Sequence, residues 1–371
     1  MSLLAVDHAA RRARLAAVLA ERDLDAALVS GPRNVRYLTG LDSSNAALLV
    51  TATGEAVLAT DGRYAEAAAA RCPDVTVRLD RQVGAALVAQ ARSRVAGRAR
   101  LGVERHLVTA READRLAEVA GAAVALLDLD EAVEGLRSEK EEAEVALVAR
   151  ACALGDEALL GLLAAGLAGR SEAAIARDLE ARMLLLGAEA VGFESIVASG
   201  PNGSVPHHHP GDRVVQRGDL VTIDFGARVE GYHSDCTRTV AVGEPTGWQR
   251  ELYDLVAVAQ QAGVAALHAG ASVAAVDAAA RTLIAAAGHG EHFTHGLGHG
   301  VGLDIHEPPW LTGADGATAR LGTRSTVTVE PGIYLPGRGG VRIEDTVDVG
   351  GPQGDDVRVL TTTTKALLTV D

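Results

Sequence analysis

Apolar and polar positions along the chain fall into two regimes. Residues 9–21 repeat apolar positions at helical spacing, and residues 26–29 form a short apolar run that reads as a buried strand. That run ends at the turn signal Gly31-Pro32-Arg33-Asn34. Residues 46–50 and 56–59, on either side of Thr53-Gly54, predict a β-hairpin. A helix carried by residues 64–71 follows Asp61-Gly62, and strand patterns recur at 75–79, 100–103 and 123–127 with helical stretches between. Strands alternating with helices predict an α/β layer.

Further along, the periods lengthen. Ser138-Glu-Lys-Glu141 reads as a capping box, hydroxyl and carboxylate satisfying orphan helix amides, and predicts a long helix from 139 to about 163. More helices are expected over about 171–187, 248–269 and 272–287, with Gly270 and Gly288 as stops. Strands carrying acidic residues lie between and after them. The acidic stretch from Asp128 marks the join, so the expected division is an α/β unit over residues 1–133 and a second α/β (α+β) domain over 134–371.

Composition narrows the class. With 371 residues, 48% hydrophobic and 23% charged, the chain can fill two cores. A net charge of −14 argues against a nucleic-acid partner, which calls for a basic patch. No run reaches the ~18 apolar residues of a membrane span, and the first residues lack the continuous apolar core of a signal peptide. Cys72, Cys152 and Cys236 are odd in number and share no close spacing, which favours a reducing compartment over a disulfide framework. The expectation is a cytoplasmic protein with neither a membrane nor a nucleic-acid partner.

Chemistry concentrates in residues 294–308. His295, His299 and His306 are interleaved with Gly296, Gly298, Gly300 and Gly302. Glycines cost a helix about 1 kcal/mol each, so extended or looped backbone is expected, brought close to something small. Asp224 lies in the alternating run 221–225 and Asp235 heads the alternating run 235–240, with 229–232 as the turn. A hairpin sets two such aspartates roughly opposite on one face, which is unfavourable unless a cation neutralises them. Glu330 ends the apolar run 326–329 and is stopped by Pro331-Gly332; Arg342 and Glu344 share a face by the two-residue period.

Each of these residues alone has an ordinary account: a water-facing aspartate, a core histidine, a salt-bridged outer face. Together, four carboxylates and one imidazole point to manganese, magnesium or cobalt more than to structural zinc. Two divalent ions in such a set would activate water and polarise a carbonyl. Rival motifs fail: Val301 occupies the third glycine position of a dinucleotide fingerprint, no lysine follows a P-loop glycine, and His306-Glu307 runs into prolines rather than an HExxH helix.

The order Asp224, Asp235, His299, Glu330, Glu344 is set within HGLGHGVGLDIHE (295–307), EPGIY (330–334) and RIED (342–345). It resembles the pita-bread metallopeptidases, and within them the aminopeptidase P and Xaa-Pro dipeptidase (prolidase) branch. Residues 34–40, 136–144 and 193–207 are similar to further signatures of that branch. The resemblance implies a creatinase-like N-terminal α/β domain followed by a pita-bread catalytic domain. It implies two divalent ions, manganese first with cobalt or zinc as alternatives, held by Asp224, Asp235, His299, Glu330 and Glu344. Glu330 would also act as general base, His207 on the substrate side, and His306 on the developing oxyanion. His295 would line the proline pocket; Arg342, and Tyr334 likewise, would orient the carboxylates, both counted with His295 on the substrate-binding side.

His208 and His209 are assigned to a solvated loop, His289 and His292 to a helix exit, and Cys236 to no role. The implied activity is cleavage between an N-terminal residue and proline in a peptide. Aminopeptidase P comes first because Phe293-Thr-His-Gly-Leu-Gly-His299 is similar to its small bacterial members. A dipeptide-restricted prolidase is the alternative, and a non-catalytic pita-bread binding module a further one. The resemblance also implies a homodimer.

Overall fold

The computed structural model describes residues 6–94, 97–313, 318–351 and 357–371. It forms two units that meet in sequence between Arg137 and Ser138. The first runs α1 (His8–Glu21), β1 (Ala26–Val29), α2 (Pro32–Thr39), β2 (Ala46–Thr51), β3 (Ala56–Thr60), α3 (Ala65–Arg71) and β4 (Thr76–Leu79). It continues through α4 (Val83–Arg94), β5 (Ala99–Val103), α5 (Ala110–Ala120), β6 (Val124–Asp128) and α6 (Ala132–Ser138). One six-stranded sheet has the order β4-β3-β2-β1-β5-β6, with β2 antiparallel to both neighbours and the remaining pairs parallel. Leu28, Leu49, Leu87, Leu101 and Leu116 fill its core.

The Gly31-Pro32 signal opens helix α2 rather than a turn. Gly31 is the N-cap and proline stands in the first turn, where its missing N–H would be unpaired anyway. The Glu104 carboxylate accepts the Ser30 and Gly31 amides at 2.6 and 2.7 Å, and Gly40 at φ 75° ends the helix.

The second unit repeats one plan twice: a helix pair, then antiparallel strands. The first block comprises α7 (Glu142–Ala164), α8 (Glu172–Leu185), β7 (Ala190–Val191), β8 (Ile196–Ser199), β9 (Leu220–Phe225), β10 (Ala227–Val229), β11 (Tyr232–His233) and β12 (Cys236–Val242). The second comprises α9 (Gly247–Ala265), α10 (Val273–Ala286), β13 (Gly298–Gly300), β14 (Glu307–Leu311), β15 (Thr326–Val329), β16 (Gly332–Leu335), β17 (Gly339–Arg342) and β18 (Asp345–Asp348). Two short strands follow, β19 (Arg358–Val359) and β20 (Thr369–Val370).

The larger sheets have the orders β20-β12-β9-β8 and β14-β13-β15-β18-β19. Val256, Val276 and Ile284 of α9 and α10 share a core with Leu297, Val327, Val329, Ile333 and Val347.

Helix starts follow local chemistry, with one shift from the sequence reading. The capping box of α7 is Glu141 with Glu144, whose carboxylate accepts the Glu141 amide at 2.9 Å; Ser138 instead closes α6. Ser171 caps α8 as expected. Gly288, at φ 85°, follows the last turn of α10, whereas α9 ends at Ala265 and Gly270 turns the loop beyond it. Among the described residues no helix is long and apolar enough to cross a membrane.

Candidate active site

Strand register decides which acidic residues meet. β9 and β12 pair Asp224 with Thr237 and Phe225 with Cys236. The expected Asp224–Asp235 opposition is therefore displaced by two residues, because β10 and β11 take up the connection. Asp235 stands just before β12, two residues from Thr237, and so keeps the face of Asp224. Around His299 the glycines admit neighbouring strands, and Gly296 and Gly298 also border the cavity. A Cβ on Gly298 would lie 2.0 Å from the Thr328 carbonyl oxygen, and one on Gly300 2.4 Å from that of Pro308. Glu330 directly follows β15, and Glu344 sits between β17 and β18.

These five residues line one cavity of about 880 Å³. One ligand atom from each of Asp235, His299 and Glu344 lies within 4.8 Å of the others. The His299 Nε2 is 3.6 Å from Asp235 Oδ2 and 3.4 Å from Glu330 Oε1. Its Nδ1 is 3.0 Å from the Gly300 carbonyl, which can only accept, so the ring proton sits on Nδ1 and the Nε2 lone pair faces the carboxylates. Burial lowers the His299 pKa to about 4, keeping the ring neutral at neutral pH.

The carboxylates move the other way. Burial raises Glu330 to about 8; burial, then Glu344 and Asp224, raises Asp235; burial, then Glu330 and Asp224, raises Glu344. Asp224 Oδ1 is buried with no hydrogen-bond partner, while Oδ2 accepts from Arg342 Nη2 at 2.7 Å. An imidazole lone pair turned on crowded carboxylates, with one oxygen orphaned, is a set of donors that a hard divalent cation satisfies.

Two threonines missed in the sequence complete the frame. Thr237 donates to Glu344 Oε2 at 2.7 Å and accepts from Arg342 Nε at 3.1 Å. Thr328 accepts the His299 amide at 3.0 Å and reaches Glu330 Oε1 at 3.4 Å. Each lies two residues from an acidic residue and on its face, the signal that would have found it. Arg342 also donates to Tyr334 at 2.9 Å, and the Tyr334 hydroxyl lies 2.9 Å from His295 Nε2. His295 Nδ1 bonds the Gly296 carbonyl at 2.8 Å, so both ring nitrogens are occupied and the ring itself lines the cavity, with buried Tyr334 behind it.

His306 stacks edge-on to His299 at 4.3 Å between centroids, and desolvation lowers its pKa. His207 lines the same cavity, whose apolar wall includes Phe193, Ile196, Ile305 and Trp310. His208 departs from expectation. Instead of lying in solvent, its side chain is 19% exposed and its Nε2 sits 2.8 Å from Glu172 Oε2. His209 is 86% exposed, and His289 and His292 face each other in the turn after α10. The three cysteines are buried and unpaired.

The profile of metallopeptidase family M24 matches residues 146–350, and that of the creatinase/prolidase N-terminal domain residues 11–138. The uncharacterized peptidase YqhT of Bacillus subtilis is 39% identical over 87% of this chain and 90% of its own length. The chain belongs to the M24 metallopeptidases. Enzymes of this family use divalent metals, and the Asp235–His299–Glu344 group is a candidate place for one.

A Xaa-Pro dipeptidase of Pyrococcus horikoshii is 41% identical over 59% of this chain, a match spanning 62% of that protein. Among solved structures, the Xaa-Pro dipeptidase from Bacillus anthracis superposes with a TM-score of 0.91 at 33% identity, covering 98% of this chain and 100% of that one. The X-Pro aminopeptidase from Thermotoga maritima superposes at 0.87 and 32% identity, covering 97% and 99%. The M24 catalytic domain here has the pita-bread fold and follows a creatinase-type N-terminal domain in the sequence.

Proposed function

We propose that this M24 metallopeptidase is a Xaa-Pro dipeptidase working with two divalent ions, manganese first and cobalt or zinc as alternatives. The sequence motifs put aminopeptidase P ahead. The Pyrococcus relative and the Bacillus anthracis structure reverse that order, and the Thermotoga structure keeps the aminopeptidase as the second reading. The observation that carries the metal-dependent reading is the His299 Nε2 lone pair turned on Asp235 and Glu330 beside Glu344.

Asp224, Asp235, His299, Glu330 and Glu344 would hold the ions. Divalent cations so held acidify water and polarise a carbonyl. Glu330 takes the proton of the attacking water, a role suited to a carboxylate that borders the cavity 3.4 Å from the His299 Nε2. His306, neutral because desolvation lowers its pKa, offers one N–H to the carbonyl oxygen as charge develops there. His207 holds the scissile amide and assists proton delivery to the leaving proline nitrogen. The imide before proline has no N–H and a fixed φ, so recognition rests on ring shape. The His295 ring, its nitrogens already bonded, offers a flat wall for that ring. Arg342 and Tyr334 hold Asp224 and His295 in place rather than touching the peptide.

The deciding assay compares a Xaa-Pro dipeptide with the Xaa-Pro-Xaa tripeptide carrying the same first residue, using manganese-loaded protein. The dipeptide is expected to show a kcat/KM at least about tenfold higher, a difference of ~1.4 kcal/mol in transition-state binding. Cleavage of the tripeptide with the dipeptide left intact overturns the dipeptidase reading in favour of aminopeptidase P.

A further inference from the structure

We infer that Glu172 and His208 are positioning residues that fix His207 over the cavity, an inference resting on the role proposed for His207. His207 is exposed and lies in a segment without regular structure, between Val205, 48% exposed, and His209. A group on such a segment has many conformations to lose, and a displacement of about 1 Å at a reacting centre can cost a hundredfold in rate. The segment is held from two sides. On one side, the carbonyl of Pro206 accepts from Arg342 Nη1 at 3.3 Å. On the other, His208 Nε2 donates to Glu172 Oε2 at 2.8 Å. His207 is thus bracketed by a residue tied to β17 and a residue tied to α8.

Glu172 is built for this task. It is the first residue of α8, and its side chain is fully buried. Its Oε1 accepts from the Ser199 amide at 2.8 Å, the Ser199 hydroxyl at 2.6 Å and Asn202 Nδ2 at 3.0 Å. Its Oε2 accepts from Asn202 Nδ2 at 3.2 Å, from His208 and from the Gly211 amide at 3.3 Å. Every one of these donors belongs to residues 199–211, the segment that presents His207. Burial alone would raise this carboxyl, but hydrogen bonds from Ser199 and His208 outweigh it and hold the group below the usual glutamate range. It therefore stays an acceptor across neutral pH. Arg213 adds a brace from outside, donating to the Ser199 hydroxyl at 2.5 Å and to Asp219 at 2.7 Å.

The test uses His208, which itself borders the cavity with a side chain only 19% exposed, because Glu172→Gln would put an amide donor against buried donors and endanger folding. In the full-length, manganese-loaded protein, His208→Ala is expected to lower kcat on a Xaa-Pro dipeptide about ten- to a hundredfold, with metal content and melting temperature unchanged. His208→Gln, whose amide can still donate to Glu172, is expected to recover to within about threefold of wild type. The His207→Ala/His208→Ala double variant is expected to be no slower than His207→Ala alone, because one residue acts through the other. His208→Ala at the wild-type rate, or a double loss equal to the product of the single losses, overturns the inference while leaving the peptidase reading standing. His207→Ala at the wild-type rate removes the role of His207, and the inference with it.

Discussion

His299 gives its Nδ1 proton to Gly300 and turns its other nitrogen on two carboxylates. Burial, then the neighbouring charges of Glu344, Asp224 and Glu330, raises the carboxyl of Asp235 well above the usual range. Asp235→Asn should therefore abolish turnover and weaken metal retention by more than the roughly 10–100-fold typical of groups one bond removed from a metal. Activity near wild type in that variant, checked by metal analysis and steady-state kinetics, would count against the assignment. Tyr334→Phe tests the frame instead. It leaves a His295 nitrogen and an Arg342 N–H without their partner, at a cost of about 1–3 kcal/mol. The expected readout is a lower melting temperature and a KM that rises more than kcat falls. The five acidic and imidazole residues were legible because their order and spacing survive in one dimension. Thr237 and Thr328 left only their two-residue spacing to Asp235 and Glu330 as a signal, and the Glu172–His208 pair left none, because the partner of His208 comes from a distant helix, α8.

At the scale of elements, β13 passes between β14 and β15 only because its ends are glycine. In Gly298→Ala the new methyl meets backbone, which cannot rotate away, so the loss of stability should exceed the ~1–3 kcal/mol usual for overpacking. Gly247→Ala, at a position open to space in the first turn of α9, is the near-neutral comparison in the same denaturation experiment. A second element-level device ties the start of α7 to β14. Lys140 Nζ is 2.6 Å from Glu307 Oε1, with both side chains buried. Lys140→Met should cost a few kcal/mol by removing the cation that faces this buried carboxylate, which keeps the Asp304 amide on its Oε2 at 3.2 Å, and adding Glu307→Gln should restore part of it. Where the sequence reading erred, one local signal served two structures. Gly31-Pro32 suits a turn and a helix start equally, and the two aspartate-bearing strands concealed β10 and β11 between them.

For the whole molecule, the raised carboxyls link metal, protons and stability. With Glu330 near 8 against an ordinary 4.5, and Asp235 and Glu344 shifted the same way, the metal-free native state keeps protons that the unfolded chain has released. Below about pH 6.5 this is offset by His295, His299 and His306, which burial holds neutral in the native state and which the unfolded chain protonates. From about pH 6.5 to pH 8 the native state binds more protons than the unfolded one, and stability falls as pH rises. Melting curves in chelator should show that decline, and saturating manganese should flatten it by replacing the protons. A metal-free protein equally stable across that range would contradict the burial argument. The α/β rhythm of the first unit was readable because all but one of its strand pairs join consecutive strands, β1 with β5 being the exception. The sheets of the second unit were not, since short strands there join distant stretches, as Val242 pairs with Val370.

The central claim is that four carboxylates and His299 together hold the ions on which turnover depends. Equilibrium dialysis of the purified chain against manganese, with elemental analysis of what remains bound, addresses it most directly. Two equivalents per chain in the wild type and a clear loss in Asp235→Asn are the predicted result. A chain that retains no manganese, or an Asp235→Asn variant that retains as much as the wild type, would contradict it.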